Sequence, residues 1–146
     1  MPTTAVTSYS NQKLEPVYDH DLARQRAVAI APSQSIARGT ILGEITATPG
    51  VYSAYNASHT DGTQIAKAIS VYDIATDANG NVTLSATTGQ TVGPYGDGFA
   101  GLSAPVYVCG VFNTTDLVGL DSTAVVDFCA RFEQGSLSAG GMLRIP

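Results

Sequence analysis

Over the first 35 residues the hydrophobic and polar positions follow no sustained period. Val6, Tyr9, Leu14, Val17 and Tyr18 are scattered among polar residues, and Pro2, Pro16 and Pro32 interrupt any regular element. One piece, Arg26-Ala27-Val28-Ala29-Ile30, puts Val28 and Ile30 on one face if extended, although its alanines equally allow a short helix from Asp19 onward. The region reads as an arm of residues 1–35, extended on a surface rather than packed as a domain. Tyr9, Leu14, Val17, Tyr18, Val28 and Ile30 are too apolar for an idle tail and too few for a core, so they are the candidate contacts to another chain.

From Arg38 the texture changes to short strands with strong turn punctuation. Ile41 and Ile45 alternate with Leu42 and Glu44, and Thr48-Pro49-Gly50-Val51 is a turn into Val51-Tyr52. Ile65 to Ile74 reads as one strand region, with Ile69, Val71 and Ile65 sharing a face. Asp77-Ala78-Asn79-Gly80-Asn81 is a turn, and Asn79-Gly80 suits a type I′ hairpin, whose two central residues both need φ > 0. Gly89 to Gly101 carries five glycines and Pro94 and reads as a loop. Val106 to Phe112 is β-branched and aromatic and is the strongest strand. After it, Asp121 and Ser122 offer N-caps, and Val125, Phe128, Cys129 and Phe132 make one helical stripe, with Gly135 as its stop. Met142 to Ile145 is a last short strand.

Composition narrows the class of partner. The chain of 146 residues fits one domain with an appendage. It is 44% apolar and only 13% charged, against about 25% charged in ordinary globular domains. Ser, Thr, Asn and Gly cover much of the surface instead, which suits a chain that buries part of itself against partners. The net charge of −5 argues against nucleic acid, because binding phosphate needs Lys and Arg. The charge is uneven: residues 1–38 carry four cations against three acids, and residues 39–146 carry three cations against nine acids. No apolar run approaches the ~20 residues of a membrane span. The start MPTTAVTSYSNQKL lacks the basic and apolar regions of a signal peptide, so synthesis and use without Sec export are expected. Cys109 and Cys129 accordingly read as reduced and packed like small hydrophobes.

No constellation for catalysis emerges, and no cofactor is implied. The two histidines lie apart, His20 in the arm and His59 in the polar turn Asn56 to Gly62. Cys109 and Cys129 are twenty residues apart without a C-x-x-C or H-x-x-x-H partner, which excludes a zinc knuckle. Asp77-x-Asn79-x-Asn81 begins like a calcium loop, but Val82 stands where the turn glycine belongs and Thr88 where the bidentate Glu belongs. The glycines of Gly93 to Gly98 match neither a dinucleotide fingerprint nor a P-loop. Asp97 and Asp116 have no second carboxylate that can be argued to share a substrate. The triplets at Asn56, Asn81 and Asn113 are what a Ser/Thr-rich chain yields by chance.

The order of motifs from Arg38 resembles the lambda-type head decoration proteins of tailed phages. The residues carrying the resemblance are Arg38-Gly39-Thr40-Ile41-Leu42-Gly43, the Tyr52–Tyr55 return, the loop ending Asp61-Gly62-Thr63 and the strand from Ala66 to Ile74. Pro105 to Asn113, Leu117 to Leu120, the helix, and the close from Gly135 to Ile145 complete the series. The Gly-rich stretch 89–101 and the long arm depart from the pattern. The resemblance implies a mainly β fold with one α-helix near the C-terminus: a β-clip-like decoration domain over residues 36–146, preceded by the arm. It implies a non-enzymatic homotrimer, made in the host cytoplasm, that sits on the outer surface of the virion. There it would bind the major capsid protein at three-fold and quasi-three-fold sites and stabilise the expanded head against packaged DNA, with the arm reaching the capsid. Two other readings compete with it. One is a trimeric receptor- or glycan-binding module of a phage appendage, which would want Tyr52, Tyr55 and Tyr95 exposed for sugar stacking. The other is a trimeric β-clip nucleotide hydrolase, whose metal and phosphate motifs are missing from this chain.

Overall fold

The computed structural model describes residues 23–85, 100–101, 103–128, 131–132 and 142–145. Its organising element is the segment of greatest β propensity, strand β9 (Ala104–Asn113). Strands β1 (Arg24–Ile30), β3 (Ile41–Glu44), β4 (Val51–Ala54) and β5 (Ala68–Ser70) join β9 in a closed ring. β1 runs parallel to β4 and antiparallel to β9; β4–β3, β3–β5 and β5–β9 are all antiparallel. Closure leaves this part of the sheet without an outer edge. Beyond the ring, β11 (Met142–Ile145) pairs with the far half of β9, and β10 (Arg131–Phe132) pairs with β11. A second sheet holds β2 (Ser35–Ile36), β6 (Asp73–Thr76), β7 (Val82–Ser85) and β8 (Ala100–Gly101), in the order β2-β6-β7-β8.

Period-2 alternation divides the buried side chains into two cores, one on each face of the ring strands. One core takes Val28, Ile30, Leu42, Tyr52, Ala68, Ala104 and Val106 from the ring, with Ile36, Ile74, Val82 and Leu84 from the second sheet against them. The other takes Ile41, Ile69, Tyr107, Phe112, Leu143 and Ile145, covered by Tyr55, Leu117, Ala124 and Phe128. β3, β5 and β9 therefore bury both faces, which explains adjacent apolar pairs such as Ile41-Leu42 where a half-exposed strand would alternate. Gly110, at φ +146, sits where β9 changes partner from β1 to β11. This kink restores Phe112 to the face of Tyr107, and the two rings meet edge to face at 5.5 Å.

Several sequence expectations change here. The residues assigned to the arm from Arg24 onward are built into the domain: β1 is a ring strand, and Val28 and Ile30 are buried in the core. The extended reading of Arg26–Ile30 holds. What the local pattern could not show is that β4 and β9 would supply hydrogen bonds on both sides. The region Ile65–Ile74 is two strands in different sheets, β5 and β6, broken at Val71-Tyr72, and Ile65 is exposed. The hairpin at Asp77–Asn81 is not type I′, since only Gly80 (φ +85) has positive φ there. The Asp77 carboxylate accepts from the Asn79 and Asn81 backbone N–H groups and from Asn81 Nδ2. That favours a type I turn followed by a left-handed glycine. Cys109 is half-buried on β9; the last two residues of the stretch read as a Gly-rich loop form β8 against β7, while residues 89–99 and Cys129 fall outside the described residues.

The outer face of β3 has no room to spare. A Cβ on Gly43 would lie 2.6 Å from Thr63 Cα and 2.8 Å from the Ile65 carbonyl oxygen, both backbone atoms that cannot rotate away. Gly43→Ala should destabilise the fold by about 1–3 kcal/mol, read as a lower urea midpoint with an unchanged slope.

Candidate docking surface

Two regions could meet a partner: the root of the arm and the layer that covers the outer core. At the root, the side chains of Arg24, Gln25, Arg26 and Ala27 are exposed. Arg26 shares the strand face of Val28 and Ile30, but the strand has already run past the core, so its guanidinium emerges near Glu44. Glu44 itself is held by Lys67 Nζ and the Gly50 N–H, each at 2.7 Å. The hydrogen bond from Lys67 is the main cause of its lowered pKa, and Arg26 adds a small contribution. Of the proposed contacts, Val28 and Ile30 are committed to the core, while Tyr9, Leu14, Val17 and Tyr18 lie outside the described residues.

The covering layer runs from the 3-10 turn Thr114–Asp116 through helix α1 (Ser122–Asp127). It is pinned at three points. Val118 pairs in parallel with Thr40, through Ile41 N–H to the Val118 carbonyl and Val118 N–H to the Gly39 carbonyl, both at 2.9 Å. Asp121 caps the helix, accepting from the Ala124 N–H at 2.7 Å and from the Tyr55 hydroxyl at 2.9 Å. At the other end Asp127 Oδ2 accepts from the Ala66 N–H at 2.9 Å, in the loop that crosses β3. A six-residue helix is too short to stand alone in water, so these tethers and the burial of Ala124 and Phe128 hold it.

The predicted N-cap Asp121 is thus in place, but the predicted stripe is cut short. Phe128 closes the helix, and Phe132 belongs to β10, where it pairs with Leu143 on β11. The layer exposes Val118 and Val126, and the loop under it exposes Ile65; these are the exposed large hydrophobics among the described residues. Sequence reasoning passed over Val118 and Val126. The one available signal was that Val126 lies off the stripe of Val125 and Phe128.

Among the described residues, none of the groups considered for chemistry forms a reactive site; His20 lies outside them. His59 Nδ1 lies 2.8 Å from Thr63 Oγ1, which in turn donates to Asp61 Oδ1 at 2.6 Å. Thr63 is buried and its proton is given to a carboxylate, so the trio closes a loop and presents no nucleophile. The same hydroxyl and the Thr63 N–H lower the Asp61 pKa. Asp116 is half-buried, and desolvation pushes its carboxyl pKa up; Asp97 is outside the described residues. Among the described residues no three His, Cys, Asp or Glu side chains are grouped to hold a metal, and no helix is long and apolar enough to cross a membrane. Tyr52 and Tyr55 are buried, which removes them from any sugar-stacking platform, and Tyr95 is outside the described residues.

Residues 18–91, half of the chain, match the family described as bacteriophage lambda head decoration protein D. The chain belongs to that family. It is a structural, head-decorating protein, and its strand-rich fold with one short helix agrees with the fold class read from the sequence. The match spans the last residues of the arm, β1 through β7 and the start of the Gly-rich loop. No curated protein and no solved structure matches the chain.

The tethers of the covering layer yield two tests. Asp127→Ala removes the acceptor of the buried Ala66 N–H and should cost about 1–3 kcal/mol, measured by denaturant unfolding. The Tyr55 hydroxyl has a pKa pushed up to about 12, by burial first and by the Asp121 carboxylate second. Its stabilisation is complete below the ordinary tyrosine pKa of about 10 and is lost as pH rises through about 12. The parent protein should therefore lose stability more steeply than Tyr55→Phe between those pH values, as followed by chemical denaturation at a series of alkaline pH values.

Proposed function

We propose that this decoration protein binds the outer surface of the expanded phage head as homotrimers, at three-fold and quasi-three-fold sites. There it cements neighbouring major capsid subunits against the pressure of packaged DNA. The observation carrying this reading is the family match over residues 18–91, which spans the ring strands from β1 to β5 and the junction with the arm. The residues before Arg24 lead directly into β1, whose ladders to β9 and β4 tie that end of the chain to both cores. A tension applied through the arm would act on these hydrogen-bonded ladders in shear, not on a loose linker. Tyr9, Leu14, Val17 and Tyr18 are the proposed capsid anchors, and β1 with its buried Val28 and Ile30 is the brace. Ordering such an arm costs conformational entropy, which three arms on one trimer offset by avidity.

The family is a structural one, and the function proposed here needs no catalytic group or cofactor. Deleting residues 2–19 should leave a folded trimer with nearly unchanged melting temperature but severely weakened binding to expanded heads, counted as occupancy by cryo-electron microscopy. Unchanged occupancy would refute the anchoring role, and loss of the trimer would move the arm's job from docking to assembly.

A further inference from the structure

We infer that the covering layer over β3, with Val118, Val126 and Ile65 at its surface, is where one copy of this chain contacts the next in the trimer. This rests on the homotrimeric reading above and adds the surface involved.

Three observations carry it. First, the exposed large hydrophobics among the described residues converge on one place. Val126 is 74% exposed on α1, Val118 is 49% exposed at the layer's docking point on Thr40, and Ile65 is 45% exposed beside Ala66, the residue that Asp127 holds. Thr40, just before β3, pairs with Val118, and Gly43 on β3 lies against the 63–65 loop; three residues of extended chain, about 10 Å, separate them. The three side chains therefore belong to a single strip. Second, the strip presents little charge. The other exposed positions of the layer are Thr115, Gly119, Ser122 and Thr123; Asp116, Asp121 and Asp127 are half-buried, the last two turned to internal donors, and Lys67 beside Ile65 is paired with Glu44 at 2.7 Å. Third, each copy carries a net charge of −5, so two copies repel over most approaches. A face with little charge is where like-charged subunits come together at least electrostatic cost. Burial of β-branched side chains there supplies attraction without needing a complementary charge. In a closed three-fold ring the strip meets a different patch of its neighbour.

Sedimentation of the full chain and of Val126→Glu and Ile65→Glu at micromolar concentration tests the assignment, with Thr83→Glu on the exposed face of β7 as the control. The parent and the control should run at about three times 15.1 kDa. The two strip variants should run as monomers, with circular dichroism matching the parent, because neither side chain is needed inside the subunit. Val126→Ser should show a weaker loss, visible as trimer dissociation at lower dilution than the parent. Strip variants that stay trimeric overturn the assignment and leave the trimer standing, including the case in which they lose head occupancy and the strip proves to be a capsid contact. A monomeric parent overturns the trimer itself.

Discussion

A strand that is hydrogen-bonded along both edges and buried on both faces cannot be moved without disturbing everything around it. β9 is in that position. Its first half lies between β1 and β5, its second half carries β11, and its side chains enter both cores. Val106 and Ala104 fill one core, and Tyr107 and Phe112 the other. Every ring strand borrows its register from this one, directly or through a neighbour. The change of partner at Gly110 is what allows one continuous strand to serve two sets of contacts, and a Cβ at that point would press on Ala23 and on the Phe112 ring.

The outer core depends on a second, polar constraint. The segment covering it is mostly irregular chain with one short helix, and such a segment has little intrinsic stability. Carboxylates do the fastening: Asp121 joins the helix start to Tyr55, and Asp127 joins its end to the loop over β3. Each satisfies a donor that would otherwise be stranded near an apolar layer, where an unmade hydrogen bond is costly. The same two residues turn carboxylate oxygens to internal donors, so one arrangement closes the core and leaves little charge on the outside of the layer.

For a protein that decorates a head, these features divide the labour. The ring gives a stiff body in which the root of the arm is a structural strand. The second sheet and its Asp77 hairpin close the other end of the inner core. The covering layer holds the face proposed above for contact between copies, and the residues before β1 include the proposed capsid anchors.

The sequence by itself determined the strand-rich class, because short β-branched runs between glycine and proline turns permit little else. It also determined the best strand at Val106–Phe112, the turn before Val51, and the Asp121 cap, each of which depends on residues adjacent in the chain. The absence of a recognisable catalytic motif and the family resemblance were legible too. What only the tertiary structure decided were features that depend on distant partners. Val28 and Ile30 read as anchors for another chain until β4 and β9 were seen to bury them. Phe132 read as helix until β11 offered it a ladder, and Ile65 read as sharing a strand face with Ile69 and Val71 until its loop was seen crossing outside β3. Side-chain period fixes which residues share a face, but whether that face meets water, a core or another subunit is set by long-range pairing. That pairing was not legible from any local stretch of this sequence.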